Sequence, residues 1–199
     1  RLTRPASRLL GAEGMAAPAY RPDLVRYYLE RSGIVSVQTK RGCPHQCAYC
    51  TYPLLEVRQY RHRPPDEVVD ELIALRDRYD AEFLSFTDSV FNDSEDRYLE
   101  IVEGMVRREV NVPWMAFFRP SGFSDEAVDL LRRSKLHSVV WGIDCASYAT
   151  LEAMGKQLSW AQVRRSHDQF TEAGVAGAHF IMFGGPGENE ETLGEGLEN

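Results

Sequence analysis

Apolar and polar positions alternate in blocks along this chain. From residue 33 onward, short runs of β-branched, aromatic and aliphatic residues recur, each followed by a longer stretch with helical spacing. "GIVSVQT" (33–39) predicts a strand. "PDEVVDELIALRDRY" (65–79) sets Val68, Val69, Leu72, Ile73 and Leu75 on one stripe, with Pro65 and Asp66 as a favourable helix start. "EFLSFT" (82–87) predicts the next strand and "SEDRYLEIVEGMVRRE" (94–109) the next helix, with Ser94 as N-cap. "VPWMAFF" (112–118) and "HSVVWGI" (137–143) predict strands, separated by a helix over "SDEAVDLLRRS" (124–134) with a Ser cap. "SWAQVRRSHDQFTEAG" (159–174) predicts a helix that stops at Gly174. "GAHFIMF" (177–183) is a fifth strand, and "NEETLGEGLEN" opens another helix.

Five strands alternating with helices at this period predict βαβ units, hence an α/β fold with parallel strands and right-handed crossovers. The strands are short apolar runs, as expected where both faces are covered. An open doubly wound sheet and a barrel both satisfy the pattern, although five units fall short of a closed eight-stranded barrel. Residues 1–32 read as a peripheral arm or linker, with a short helix in "RPDLVRYYLERSG" ending at Gly33. Trp114, Trp141 and the Phe117–Phe118 pair sit within strands and read as core.

Polar residues gather at the carboxyl ends of the strands, where parallel α/β proteins build their sites. Cysteines follow the first strand, Thr87-Asp88-Ser89 the second, Arg119 the third, Asp144 to Ser147 the fourth, and "GGPGE" (Gly184 to Glu188) the fifth.

Composition narrows the class. The chain has 199 residues, 43% hydrophobic and 27% charged, ordinary for a globular domain. No run approaches the ~18 apolar residues of a membrane span, and the N-terminus lacks a secretory apolar region. The net charge of -7 disfavours a broad nucleic-acid surface. Against that background, Arg58, Arg61, His62 and Arg63 form a local basic stretch, read as a solvated loop. Four cysteines, three of them clustered, do not resemble a secreted disulfide framework and suit a metal in a reducing, cytoplasmic setting.

The clustered three are Cys43, Cys47 and Cys50 in "RGCPHQCAYC", with Tyr49 just before the last. Short spacing lets one loop wrap thiolates around a compact soft-metal group. Zinc needs a fourth ligand, for which His45, His62 and Cys145 are the candidates, none with ordinary structural-zinc spacing. Three ligands on a cubane cluster leave one iron open, a position for a substrate or cosubstrate.

The Cx3Cx2C spacing with its preceding aromatic, after the first strand of a βα series, resembles the radical S-adenosylmethionine (SAM) superfamily. "VQTKRGCPHQCAYCTYP", "RHRPPDEVVDEL", "FTDSVFN", "GIDCAS" and "HFIMFGGPGE" are most similar to members carrying an upstream cobalamin-binding domain. No Asp-x-His-x-x-Gly cobalamin motif is present in these residues. The resemblance implies a partial (β/α)6-type barrel over 33–199, with the sixth strand expected beyond Asn199. It also implies a 4Fe–4S cluster on Cys43, Cys47 and Cys50, whose open iron takes SAM for one-electron cleavage to a 5′-deoxyadenosyl radical. An external electron donor of the flavodoxin or ferredoxin type and a small-molecule substrate follow from it.

The same resemblance suggests the SAM contacts. Asp88, with Ser89 beside it, stands where the superfamily places Gly-Gly-Glu against the SAM ammonium; the alternative is a helix-capping Asp. Gly184, Gly187 and Glu188 match the end of its adenine-binding motif, with Phe180 and Met182 departing from it; the alternative is an ordinary turn. Asp144 stands near the expected ribose, and Arg119 suits the SAM carboxylate, a substrate acid or a surface salt bridge. Tyr49 joins them as a cofactor-side residue. Cys145 reads as a small buried residue, and Val57 replaces a glycine common in similar proteins. The leading expectation is a radical SAM enzyme doing cobalamin-dependent methyl transfer or carbon-skeleton rearrangement. A methylthiotransferase of tRNA or protein is the second reading, and a non-catalytic metal-binding module the third.

Overall fold

The computed structural model describes residues 15–199. In chain order the elements are α1 (Pro22–Ser32), β1 (Val35–Val37), β2 (Lys40–Arg41), α2 (Tyr52–Leu55), β3 (Arg61–His62), α3 (Pro65–Tyr79), β4 (Leu84–Phe86), α4 (Arg97–Arg107), β5 (Trp114–Phe118), α5 (Asp125–Arg133), β6 (Leu136–Asp144), α6 (Tyr148–Ala153), α7 (Trp160–Glu172), β7 (Ala176–Ile181) and α8 (Glu190–Glu198).

The five strands β1, β4, β5, β6 and β7 are parallel and lie side by side in chain order. This winding in one direction, with no reversal of strand order, is that of a barrel segment and excludes the doubly wound alternative. All five predicted strands are present.

Strand alternation assigns the faces. Trp114, Ala116 and Phe118 are fully buried. Phe118 meets Tyr98 of α4 and Phe170 of α7 edge-on, so this face packs the helices. Met115 and Phe117 point the other way, and Phe117 is exposed rather than core. Val25 of α1 joins the same core as the sheet, so at least the second half of the expected arm is integral to the domain. Residues 1–14, the rest of that arm, lie outside the described residues.

Helix boundaries follow local chemistry, with one correction. Ser124 caps α5 by accepting from Ala127 N, and Ser159 and Gln162 close a capping box on α7. Ser94 does not cap α4, which begins three residues later. The carboxylate of Asp93 takes the Glu95 and Arg97 amides at 3.1 and 3.2 Å instead. A carboxylate in this turn is a stronger acceptor than the serine hydroxyl.

Three features escape the apolar pattern because they are too short to show a period. β2 and β3 form an antiparallel two-residue ribbon, Lys40 opposite His62 and Arg41 opposite Arg61. α2 and α6 are single short turns of helix. All of them border the cysteine loop.

Candidate functional site

Cys43, Cys47 and Cys50 lie on the loop between β2 and α2, at the carboxyl side of the sheet. Cys43 is buried and the other two are half-buried; all three are free thiols. The loop is held on three sides. On the first, Cys43 N donates to Val57 O at 3.1 Å, and Glu56 accepts from Gly42 N at 3.0 Å. Gly42 has φ 86°, and any side chain there would run into the Gln59 carbonyl. Glycine is therefore required just before the first cysteine.

The second side is the Thr87-Asp88-Ser89 turn. Asp88 is 2% exposed. Its Oδ1 accepts from Thr39 N at 2.8 Å and Lys40 N at 3.1 Å, and its Oδ2 from Thr39 Oγ1 at 2.5 Å. Ser89 Oγ donates to Gly42 O at 3.0 Å. Both carboxylate oxygens thus hold the backbone that runs from β1 into the cysteine loop. Asp88 braces the loop in this way, and it caps no helix among the described residues.

The third side is α6 and the turn after it. Ala48 N donates to Met154 O at 2.9 Å. Gly155, at φ 65°, presses on the Gln46 carbonyl, which a Cβ would meet at 3.0 Å. Arg119 donates to Lys156 O and to Gln157 O, the latter at 3.0 Å. Lys156, 4% exposed in its side chain, pairs with Asp144 and donates to Tyr49 OH at 3.1 Å. Tyr49 OH also donates to Asp144 Oδ2. Asp144 itself has φ 60°, a left-handed conformation that Asp tolerates better than most residues.

Lys156 is the functional-looking residue that the sequence does not single out. Its signal was weak: one lysine after a glycine, twelve positions from the aspartate it pairs with. Tyr49 and Asp144, both expected on the cofactor side, meet directly, and Arg119 joins them through the 156–157 backbone. "GGPGE" stands apart as a turn closed on itself. Glu188 Oε1 accepts from Gly184 N at 2.7 Å. Gly184 and Gly187 have φ 78° and 81°, and Gly187 packs on Ala153 and Ala149 O of α6.

Electrostatics follow burial. His45 is held down to about 4, first by desolvation and then by Arg119 and Lys156, so it is neutral at pH 7. Desolvation also lowers Arg119, while the Cys47 and Cys43 sulfurs oppose it. Among the described residues no carboxylate pairs with Arg119. Cys145 is buried, and burial raises its thiol, so it stays protonated. The expected basic stretch is divided: Arg63 is 4% exposed and pairs with Glu71 at 2.5 Å, so it is structural rather than solvated.

The donor set fits an iron–sulfur cluster better than zinc. Cys43, Cys47 and Cys50 are three free thiols on one loop, soft-metal donors one short of the four that a closed zinc site takes. A multi-iron body needs its thiolates spread around it, whereas zinc needs four donors converging on one point. The Tyr60 hydroxyl is buried with no hydrogen bond closed, and the Cys43 sulfur is beside it. A thiol is a weak acceptor, and a metal-bound thiolate is a good one.

A parallel βα sheet wound in one direction, with a three-cysteine loop over its carboxyl ends, defines a cofactor-binding barrel segment. The chain belongs to the radical SAM superfamily, whose profile matches residues 37–198. That superfamily works with a 4Fe–4S cluster and SAM. An uncharacterized methyltransferase of Pyrococcus horikoshii is 28% identical over 160 residues, 79% of this chain and 34% of the relative. The anaerobic magnesium-protoporphyrin IX monomethyl ester cyclase of Rubrivivax gelatinosus is 27% identical over 157 residues, 78% of this chain and 28% of the relative. Among solved structures, the radical SAM methyltransferase TsrM from Kitasatospora setae superposes with a TM-score of 0.80 at 26% identity, over 86% of this chain and 34% of TsrM. It has been seen with cobalamin and a [4Fe-4S] cluster, and with tryptophan and a SAM analogue. The chain thus spans about a third of the length of these relatives. No helix among the described residues is long and apolar enough to cross a membrane.

Proposed function

We propose that Cys43, Cys47 and Cys50 hold a 4Fe–4S cluster, and that SAM binds beside it over the carboxyl ends of β5, β6 and β7. The observation carrying this reading is the buttressed cysteine loop, braced by Asp88 below and by the Asp144–Lys156–Tyr49 group at its side. Cluster and SAM together supply a 5′-deoxyadenosyl radical by one-electron cleavage.

The chain's own residues bind and orient. Arg119, with no carboxylate of its own among the described residues, is the partner for the SAM carboxylate. Asp144 offers Oδ1, which accepts no hydrogen bond from the described residues, to the ribose hydroxyls. Lys156 and Tyr49 hold its other oxygen and fix its orientation. Gly184 and Gly187 let backbone approach the adenine, and Glu188 locks their turn. Asp88 and Ser89 position the loop and leave the SAM ammonium to other groups.

For the whole protein we infer a cobalamin-dependent methyltransferase acting on a small molecule. The similarity to TsrM and to the Pyrococcus methyltransferase supports this reading. It draws electrons from a flavodoxin or ferredoxin in the reducing cytoplasm. The test is anaerobic reconstitution of this chain. Four irons per chain and a SAM-dependent change in the electron paramagnetic resonance spectrum are expected. Cys→Ala at any of the three positions should abolish both. Stoichiometric zinc, or four irons kept in the triple variant, overturns the reading.

A further inference from the structure

The site described so far leaves one buried group unused. The β2–β3 ribbon brings residues 60 and 42 to adjacent positions, because Arg41 pairs with Arg61. Gly42 is pinned against the Gln59 carbonyl and Cys43 N is tied to Val57 O. Tyr60 therefore reaches Cys43 from the strand opposite. Its hydroxyl is buried and closes no hydrogen bond, and its proton is held by burial first and then by the neighbouring Cys43 sulfur.

Behind the phenol sits a second buried group. Lys40 is 1% exposed, and its Nζ lies 5.2 Å from the centroid of the Tyr60 ring. Lys40 is anchored by the Phe91 carbonyl and by Asp93 at 3.5 Å. Burial lowers the Lys40 ammonium from its ordinary value and the charges of Asp88 and Asp93 oppose that shift; in its charged form it lies within cation–π reach of the ring. The order is thus Lys40, Tyr60, Cys43, from buried interior to cysteine loop.

We propose that Tyr60 donates a hydrogen bond to the Cys43 thiolate of the assembled cluster and thereby raises its reduction potential. This rests on the cluster reading above. Reduction adds negative charge to the cluster and its thiolates, so a donor at one sulfur stabilises the reduced form more than the oxidised one. Tyr60 is a positioning and tuning residue; it contacts a ligand of the cluster, not the substrate. The buried Tyr60 hydroxyl has the Cys43 sulfur as its neighbour, a weak acceptor as a thiol and a good one as a metal-bound thiolate.

The experiment is an anaerobic redox titration of the reconstituted chain, followed by electron paramagnetic resonance. Tyr60→Phe keeps the ring and removes the donor. It should retain the native iron and sulfide content and be harder to reduce by about tenfold, ~59 mV more negative for one electron. Tyr52→Phe, the same change on an exposed ring, should leave the potential unmoved. In heavy water the native reduced cluster should show a coupled exchangeable deuteron that Tyr60→Phe lacks. Should Tyr60→Phe fail to hold iron, 3-fluorotyrosine at position 60 keeps size and hydroxyl while strengthening the donor, and must shift the potential upward. An unchanged potential in both position-60 variants, or an identical deuteron coupling in native and Tyr60→Phe protein, overturns the proposal. Failure of the native chain to assemble four irons would instead overturn the cluster reading on which it stands.

Discussion

Individual residues show how tertiary contacts add to a role read from position. Asp88 has a carboxylate at the end of the second sheet strand, where a cofactor contact is expected. Three donors from Thr39 and Lys40 consume both oxygens. Asp88→Ala would strand these donors, each worth about 1–3 kcal/mol when buried and unpaired. The expected result is an unfolding free energy lower by that order in urea titration and reduced iron retention at equal reconstitution; native stability would remove Asp88 from the brace. Val57 makes the opposite point. The sequence departs here from a glycine, and the structure puts Val57 at φ 69°. A β-branched residue in that region carries about 1–2 kcal/mol of strain, against roughly 0.5–1 kcal/mol for the extra freedom of an unfolded glycine. Val57→Gly should therefore stabilise the cluster-free chain by up to about 1 kcal/mol in denaturant titration. A loss of stability would mean that the Val57 side chain contributes more than its backbone strains.

At the scale of elements, the loop depends on a segment that the apolar pattern does not mark. The turn after α6 carries Met154 and Gly155, which meet the loop backbone, and Lys156, whose Nζ reaches Tyr49 and Asp144. Lys156→Met would remove the cation that holds Asp144 and Tyr49 in place. We expect SAM affinity, read from its spectral effect on the cluster, to fall while iron content stays native; unchanged affinity would make the Asp144–Lys156 pair purely structural. β7 is the other telling element. It is an edge strand, with Phe180 59% and nearby Phe183 66% exposed. Exposed apolar edges promote association. Phe180→Lys with Phe183→Lys should lower the aggregation of this chain measured by light scattering, with the far-ultraviolet circular dichroism preserved. Equal scattering would place the sticky surface elsewhere.

Across the whole molecule, half-buried histidines couple folding to pH. Desolvation, and then Lys40, pull His62 to about 4, below the 6.5 of a free imidazole. The folded chain keeps His62 neutral while the unfolded chain takes a proton as pH falls below about 6.5. Its contribution is therefore present above that pH and is lost progressively toward 4. Thermal unfolding of cluster-free protein should show Tm falling between pH 7 and 5, and His62→Gln should flatten the fall. His45, similarly depressed, leaves a residual slope in that variant. A slope identical to native would acquit His62.

The sequence alone determined the five strands, their parallel direction and the three cysteines; that the sheet winds one way only was decided by the strand order in space. Strand and helix periods are local, and a ligand spacing of three and two residues is read directly along the chain. It also brought Tyr49, Asp144 and Arg119 into view, since residues at strand ends share one side of a parallel sheet. Only the tertiary structure decided what those side chains touch. Whether Asp88 faces a cofactor or a backbone depends on the path of residues 37–42, which follows from pairing with residues nearly fifty positions away. Lys156 and Tyr60 became visible for the same reason. Each reaches its partner across elements too short to leave a period, so only the closing of the ribbon and of the α6 turn sets them beside the cysteine loop.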